Sequence, residues 1–342
     1  MDIQCYCTLR ELEKDQENAG GLAVDVLSRF VLPPSRYLAG EIGEFLPVLE
    51  TRAVRQRNDG SARLYVPALL RVNGITQPNY GVTLNGSDYV LGPAGRMWAD
   101  GPYTYLDRGV SPAHLGQWDC QVNGNVIDGV WGFYERAQAT GATLAAFQAS
   151  GGSEVTVGNG SLLSPGMMLK IGDEWQFVNG YGAATPDVTT LSGALDGSSE
   201  IFAVANGSLL KIGEMIQAAF EKMLVLDIQG NNVYVERGWM KTKKTTHTSG
   251  TAVGAFRTFG VERGANGSTA VEHGSGTTIS RMVVPDDVNY LARQMATLMM
   301  KKSQTGYAGR AGSETAETFY VHEFPREPIA RVAQNYFIPV AR

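Results

Sequence analysis

The sequence predicts an α+β protein: helical and β segments at the two ends of the chain flank an all-β region built from two related modules. Three observations predict it. Val235 to Val253 (VERGWMKTKKTTHTSGTAV) returns 26 positions later as Val261 to Ile279 (VERGANGSTAVEHGSGTTI), with eight of nineteen positions identical. Upstream, EVTVGNGSLL from Glu154 to Leu163 is echoed by EIFAVANGSLL from Glu200 to Leu210, each followed by Lys-Ile-Gly and an acid. The apolar pattern is helical near both ends and alternates between Gly, Asn and Asp turns in the middle. Duplicated modules of this size are commoner in structural and binding proteins than in enzymes.

The first element is a short helix from Thr8, where Thr8-Leu-Arg-Glu11 reads as a capping box. Leu22, Val26, Leu27 and Phe30 at helical spacing predict a second short helix, stopped by Pro33-Pro34. From Phe45 to about Leu91 the pattern turns to strands, and Tyr103-Thr-Tyr-Leu and Val126 to Tyr134 add two more to one sheet. Thr140 to Ala149, rich in Ala and Leu, reads as the start of a helix that Ser150-Gly-Gly152 ends. The domain division is thus 1–150, 151–280 and 281–342. Pro285-Asp-Asp-Val opens the strongest helix, with its acids at the favourable end of the dipole and Lys301-Lys302 at the other. After Gln304-Thr-Gly comes an extended tail whose aromatics are too apolar for a solvated terminus and must dock, on the chain itself or on a neighbour.

The repeat halves admit two arrangements. In the nested one, the lead at Glu154 to Val178 is completed by the tail at Val261 to Ile279, with the second module inside the first. In the tandem one, Asp187 to Ser198 is a worn tail of the first module.

Composition sets bounds. A hydrophobic content of 43% over 342 residues supports buried cores and two domains of ordinary size. A net charge of −5 provides no field to hold nucleic acid tightly, though DNA could pass such a surface. Cys5, Cys7 and Cys120 have no metal-site spacing and predict reduced thiols. The N-terminus has acids where a secretory signal needs basic residues, and no apolar run approaches the roughly 20 residues of a membrane span. Synthesis in the cytoplasm is expected, and the four Asn-Gly-Ser triplets read as turns.

No constellation for catalysis emerges. His247 and His273 occupy equivalent repeat positions and read as turn histidines bonded to nearby backbone, and Glu236-Arg237 and Glu262-Arg263 as local surface pairs. There is no Gly-x-Ser-x-Gly elbow, and Tyr307-Ala-Gly-Arg-Ala-Gly follows a helix, so it lacks phosphate-loop geometry. Lys241-Thr-Lys-Lys-Thr-Thr-His247 could touch DNA phosphate but lacks interleaved aromatics, so it reads as a solvated hairpin tip. The expectation is a protein with no catalytic residues, metal or cofactor. A virion-borne cell-wall hydrolase would need a cluster of acids that is not found.

The flanks carry a resemblance. Two short N-terminal helices, Asp88-Tyr-Val-Leu, Pro102-Tyr-Thr-Tyr-Leu, Val130-Trp-Gly-Phe-Tyr134 and a late helix entering Ser303-Gln-Thr-Gly-Tyr-Ala-Gly309 stand in an order similar to the head-to-tail connector, or adaptor, proteins of tailed double-stranded DNA bacteriophages. The resemblance covers 1–150 and 281–342, and the middle is similar to a β-module of phage virion proteins. It implies a connector core carrying an inserted β-domain, and a homo-oligomeric ring, twelvefold, in the virion neck. The ring would sit beneath the portal protein, with a further neck or tail-completion protein below and DNA passing through the lumen without specific binding. No membrane contact is implied. Phe319, Tyr320, Phe324, Arg326, Tyr336, Phe337 and Arg342 become the expected contacts to the portal or a neighbouring subunit. The alternative is a baseplate or tail-tip protein whose β-modules bind a host-surface glycan.

Overall fold

A computed structural model describes residues 2–15, 20–56, 62–93, 102–108, 116–305, 310–311, 319–320, 324 and 326–336. Within them the chain is mixed α+β and mostly antiparallel sheet. It opens with α1 (Leu9–Asp15), one π turn (Leu27–Val31) and α2 (Leu32–Ile42). The capping box forms as its sequence requires: Thr8 N–H donates to Glu11 Oε2 at 2.9 Å and Glu11 N–H to Thr8 Oγ1 at 3.3 Å. Pro33 and Pro34 do not stop a helix. They occupy the first turn of α2, where N–H groups have no intrahelical acceptor and a fixed φ favours helix entry.

The first sheet contains β1 (Val48–Val54), β2 (Arg63–Gln77), β3 (Val82–Leu84), β4 (Tyr89–Gly92), β5 (Tyr103–Arg108) and β6 (Asn125–Trp131). Its order is β1-β6-β2-β5-β4, with β3 on β2, which joins the strands expected to share one sheet.

The next strands are β7 (Ala137–Thr143), β8 (Glu154–Thr156), β9 (Met168–Ile171), β10 (Glu174–Tyr181), β11 (Thr185–Thr190), β12 (Ile201–Ala203), β13 (Met215–Ala218), β14 (Glu221–Gln229), β15 (Asn232–Arg237), β16 (Ala252–Ala255), β17 (Thr258–Glu262) and β18 (Thr278–Met282). They sort into two sheets, β7-β18-β9-β10-β17-β8 and β11-β16-β13-β14-β15-β12. The strands of the second of these lie wholly between the halves of the first. The pairing that nesting requires is present, with Val178 opposite Val261, Phe259 opposite Val155 and Leu169 opposite Arg281. Both sheets follow one plan: each carries a bulge at the same step, between Val178 and Gly180 and between Val225 and Asp227. We call the sheet with β7 module one and the sheet with β11 module two.

Two local expectations are corrected. Residues 140–149 form no helix: β7 pairs with β18 from Ala137 to Thr143, and of its side chains only Ala142 is buried, so the segment is held as a strand by its pairing and not by an apolar helical face. The Lys-Ile-Gly triplets are also not equivalent. Lys170-Ile-Gly ends β9, whereas Lys211-Ile-Gly precedes β13, and the structural partner of Glu174 is Glu221.

α3 (Asp286–Thr305) buries Val288, Leu291, Ala292, Met295, Ala296 and Met300. Beyond it, β19 (Arg310–Ala311) pairs with β20 (Phe319–Tyr320), and α4 (Arg326–Asn335) follows. The expected extended tail therefore contains a helix, since Pro328 falls in the first turn of α4, where proline is tolerated. One hydrophobic core joins Ile3, Leu9, Leu12, α2, Ala68 and Leu70 of β2, Val130 of β6, α3, Ile329 and Tyr336. The outer face of module one, with Met168, Trp175, Phe177 and Met282, is buried in it.

Candidate functional site

The repeat places a buried carboxylate, guanidinium and imidazole at one corner of each module. In module two, Arg237 Nε and Nη2 donate to the two oxygens of Glu221 at 2.8 and 2.6 Å, and Glu221 Oε2 also meets His247 Nε2 at 2.9 Å. In module one, Arg263 grips Glu174 at 2.6 and 2.8 Å, and His273 Nε2 lies 2.8 Å from Glu174 Oε2. Each remaining arginine nitrogen points into the same loop carbonyls, Ala149 and Gly152 in module one and Asp196 and Ser199 in module two. The histidine backbones also match: His273 bridges Gln148 and His247 bridges Leu195.

These contacts overturn two local expectations. The histidine rings bond to a carboxylate distant in sequence, not to nearby backbone, and the arginines pair across the sheet, not with their neighbours Glu236 and Glu262. A guanidinium this buried needs a fully desolvated carboxylate, which a solvated neighbour cannot offer. Burial alone would raise both carboxyls. The arginine fork, the imidazole and the N–H groups of Gly264 and Val271 outweigh it at Glu174, and Arg237, Thr245 N–H and His247 do so at Glu221, so both sit at about 2. With their lone pairs taken, they act as structural pins. Lys-Ile-Gly points to Asp173 and Glu214 instead of the paired carboxylates, whereas matching Leu163 to Leu210 without a gap leads directly to Glu174 and Glu221.

The equivalent turns after the arginines hold the N-terminal segment. Both begin with a left-handed glycine, Gly238 or Gly264, and continue through a residue at φ 51, Met240 or Asn266, so they share one shape. Their contacts differ. Asn266 is buried, accepting from Ile3 N–H at 2.7 Å and donating to the carbonyls of Ile3 and Pro47. Trp239 lies against Gly21, where any Cβ would strike the indole, while Gly20 N–H donates to Glu236 at 2.6 Å. Residues 3 and 20–21 are thus gripped by the same turn of different modules.

Of the expected partner contacts, Phe324 packs on Tyr37 at 5.2 Å between ring centroids, and Arg326 is exposed at the start of α4. Tyr336 is buried edge-on against Phe45 and Phe133, and its hydroxyl donates to Asp287 at 2.7 Å. Phe319 and Tyr320 form β20, and Phe337 and Arg342 lie outside the described residues, as do His114 and His322. The structure thus brings Tyr336 and Phe324 to the chain's own core.

Among the described residues no cluster of three or more His, Cys, Asp or Glu could hold a metal ion, and no helix is long and apolar enough to cross a membrane. Cys5 and Cys7 are free and buried, and burial pushes the Cys5 thiol up to about 12. No protein-family model, curated protein or solved structure matches this chain.

Proposed function

We propose that the chain is a head-to-tail adaptor of a tailed bacteriophage, forming a ring beneath the portal and presenting a surface to the next neck protein. The resemblance of the two ends to that family motivates the reading. The observation that carries it is the single core in which those ends meet, with Ile3, α1, α2, α3 and Tyr336 packed together. Both segments that resemble that family contribute to this core, which also takes in the outer face of module one, and their meeting there supports the reading.

Tyr336 and Phe324 root the C-terminal segment in this core. Arg326, Phe319, Tyr320, Phe337 and Arg342 are the proposed contacts to the portal or a neighbouring subunit, and Lys301, Lys302 and Ser303 lead to them from the exposed end of α3. The test is an electron-microscopy map of the virion neck. A ring of this chain directly below the portal is expected, and its location anywhere else would end the reading. Deleting residues 337–342, which leaves Tyr336 in place, should give a folded chain and DNA-filled heads that fail to join tails.

A further inference from the structure

The tip of the β13–β14 hairpin carries the most exposed large apolar side chain described. Phe220 is 93% accessible, next to Ala219 at φ 50. The tip is braced by the loop after Trp239: Lys222 N–H donates to Thr242 Oγ1 at 3.0 Å, and Thr245 N–H to Glu221 Oε2 at 3.0 Å. These two bonds bring the loop that carries the exposed residues Lys241, Lys243 and Lys244 to the residues that directly follow Phe220 in the chain. Glu221 is buried under Arg237 and Glu236 is engaged by Gly20, while Lys244 meets the exposed Glu200 at 3.4 Å. Among the described residues no ion pair includes Lys241 or Lys243. The aromatic residue that the lysine run lacks in sequence is therefore supplied in space by another hairpin.

Module one is an internal control. The same brace is present, with Trp175 N–H donating to Ser268 Oγ at 2.9 Å. There the position of Phe220 is held by Asp173, and those of Lys241 to Lys244 by Gly267 to Ala270. The scaffold needs neither the phenyl ring nor the lysines. The fold requires neither the exposed phenylalanine nor the crowded like charges, which leaves both available to a ligand.

We propose that this tip binds single-stranded nucleic acid, with Lys241, Lys243 and Lys244 on backbone phosphates and the Phe220 ring against unpaired bases. Both ring faces are open, as insertion between two bases requires, and aromatic–base stacking with lysine–phosphate contact is a sequence-tolerant mode of recognition. The net charge of −5 keeps the interaction local and sensitive to salt. The proposal does not depend on a place in the virion neck, and that place is tested separately by microscopy.

The experiment is fluorescence anisotropy of the full chain with a labelled DNA strand of about 20 nucleotides, titrated from low to high salt. Saturable binding is expected, with log K falling against log salt at a slope of about −2 for three phosphate contacts. Replacing the three lysines by alanine should abolish that slope. Phe220→Ala should weaken binding about tenfold and leave the slope unchanged. Asp173→Ala should bind as the unaltered chain does. These side chains are exposed, so far-ultraviolet circular dichroism should be unchanged in every variant. Absence of binding at low salt, or variants that bind like the parent, would overturn the proposal. So would Phe220-dependent partitioning into phosphatidylglycerol vesicles without strand binding, which would reassign the tip to an anionic membrane.

Discussion

At the scale of single residues, the twin corners decide how the modules respond to acid and to substitution. Glu174 and Glu221 sit at about 2, below their ordinary value of 4.5. A depressed carboxyl contributes stability that is fully present above the unfolded value and is lost as pH falls through the folded one. Both modules should therefore lose stability between about pH 4.5 and pH 2, and Glu221→Gln should remove module two's share of that loss. At neutral pH, Glu221→Gln leaves Arg237 charged and buried without its partner, at a cost of about 3–5 kcal/mol, and Glu174→Gln should do the same to Arg263. Urea unfolding followed by circular dichroism across pH checks both statements; a loss under about 1 kcal/mol would show that the pins are dispensable. The sequence made the equivalence of His247 and His273 legible, but not their partners. Glu174 lies 99 residues from His273, and such a contact leaves no local pattern to read.

At the scale of elements, the Asn-Gly-Ser turns show what local sequence can specify. Asn159 and Asn206 accept from the N–H of Ser161 and Ser208, as turn asparagines should. The glycines have a further reason that only the fold reveals: a Cβ on Gly160 would strike the carbonyl of Phe256, and one on Gly207 that of Gly230. Gly160→Ala and Gly207→Ala should each destabilise by about 1–3 kcal/mol, measurable as a lowered urea midpoint. Gly158→Ala meets nothing within 4 Å and is the control. The capping box at Thr8 was legible because both its bonds are local. The prolines of α2 and α4 were misread because proline ends a helix in its interior yet begins one in its first turn, and spacing alone does not fix where the first turn lies.

At the scale of the whole molecule, the order of the repeat halves, two leads and then two tails, made nesting legible as one of two arrangements. What the sequence could not show is that module one's outer face belongs to the helical core, because Trp175, Phe177 and Met282 are as apolar as any strand interior. Nesting also reveals a substitution of parts. In module two, Gly207 N–H donates to Asn231 and Val204 N–H to the Asn231 carbonyl, within a tight hairpin. In module one the same two donors go to Glu214 and to the Arg257 carbonyl, so module two stands where a short turn would be.

That junction has a mechanical meaning. Module two leaves and re-enters module one where Gly182 N–H meets the Thr258 carbonyl at 2.8 Å and Tyr181 pairs with Phe259. Tension applied between the two termini crosses those rungs, and while the β10–β17 ladder holds it can reach module two only through N-terminal contacts such as that of Gly20 with Glu236. In an optical trap the extension stored in residues 183–257, roughly 25 nm of extended chain, should appear only after module one has opened. An earlier release would mean that force reaches the inner module by another route. Release in that order would make the outer module a mechanical fuse for the inner one.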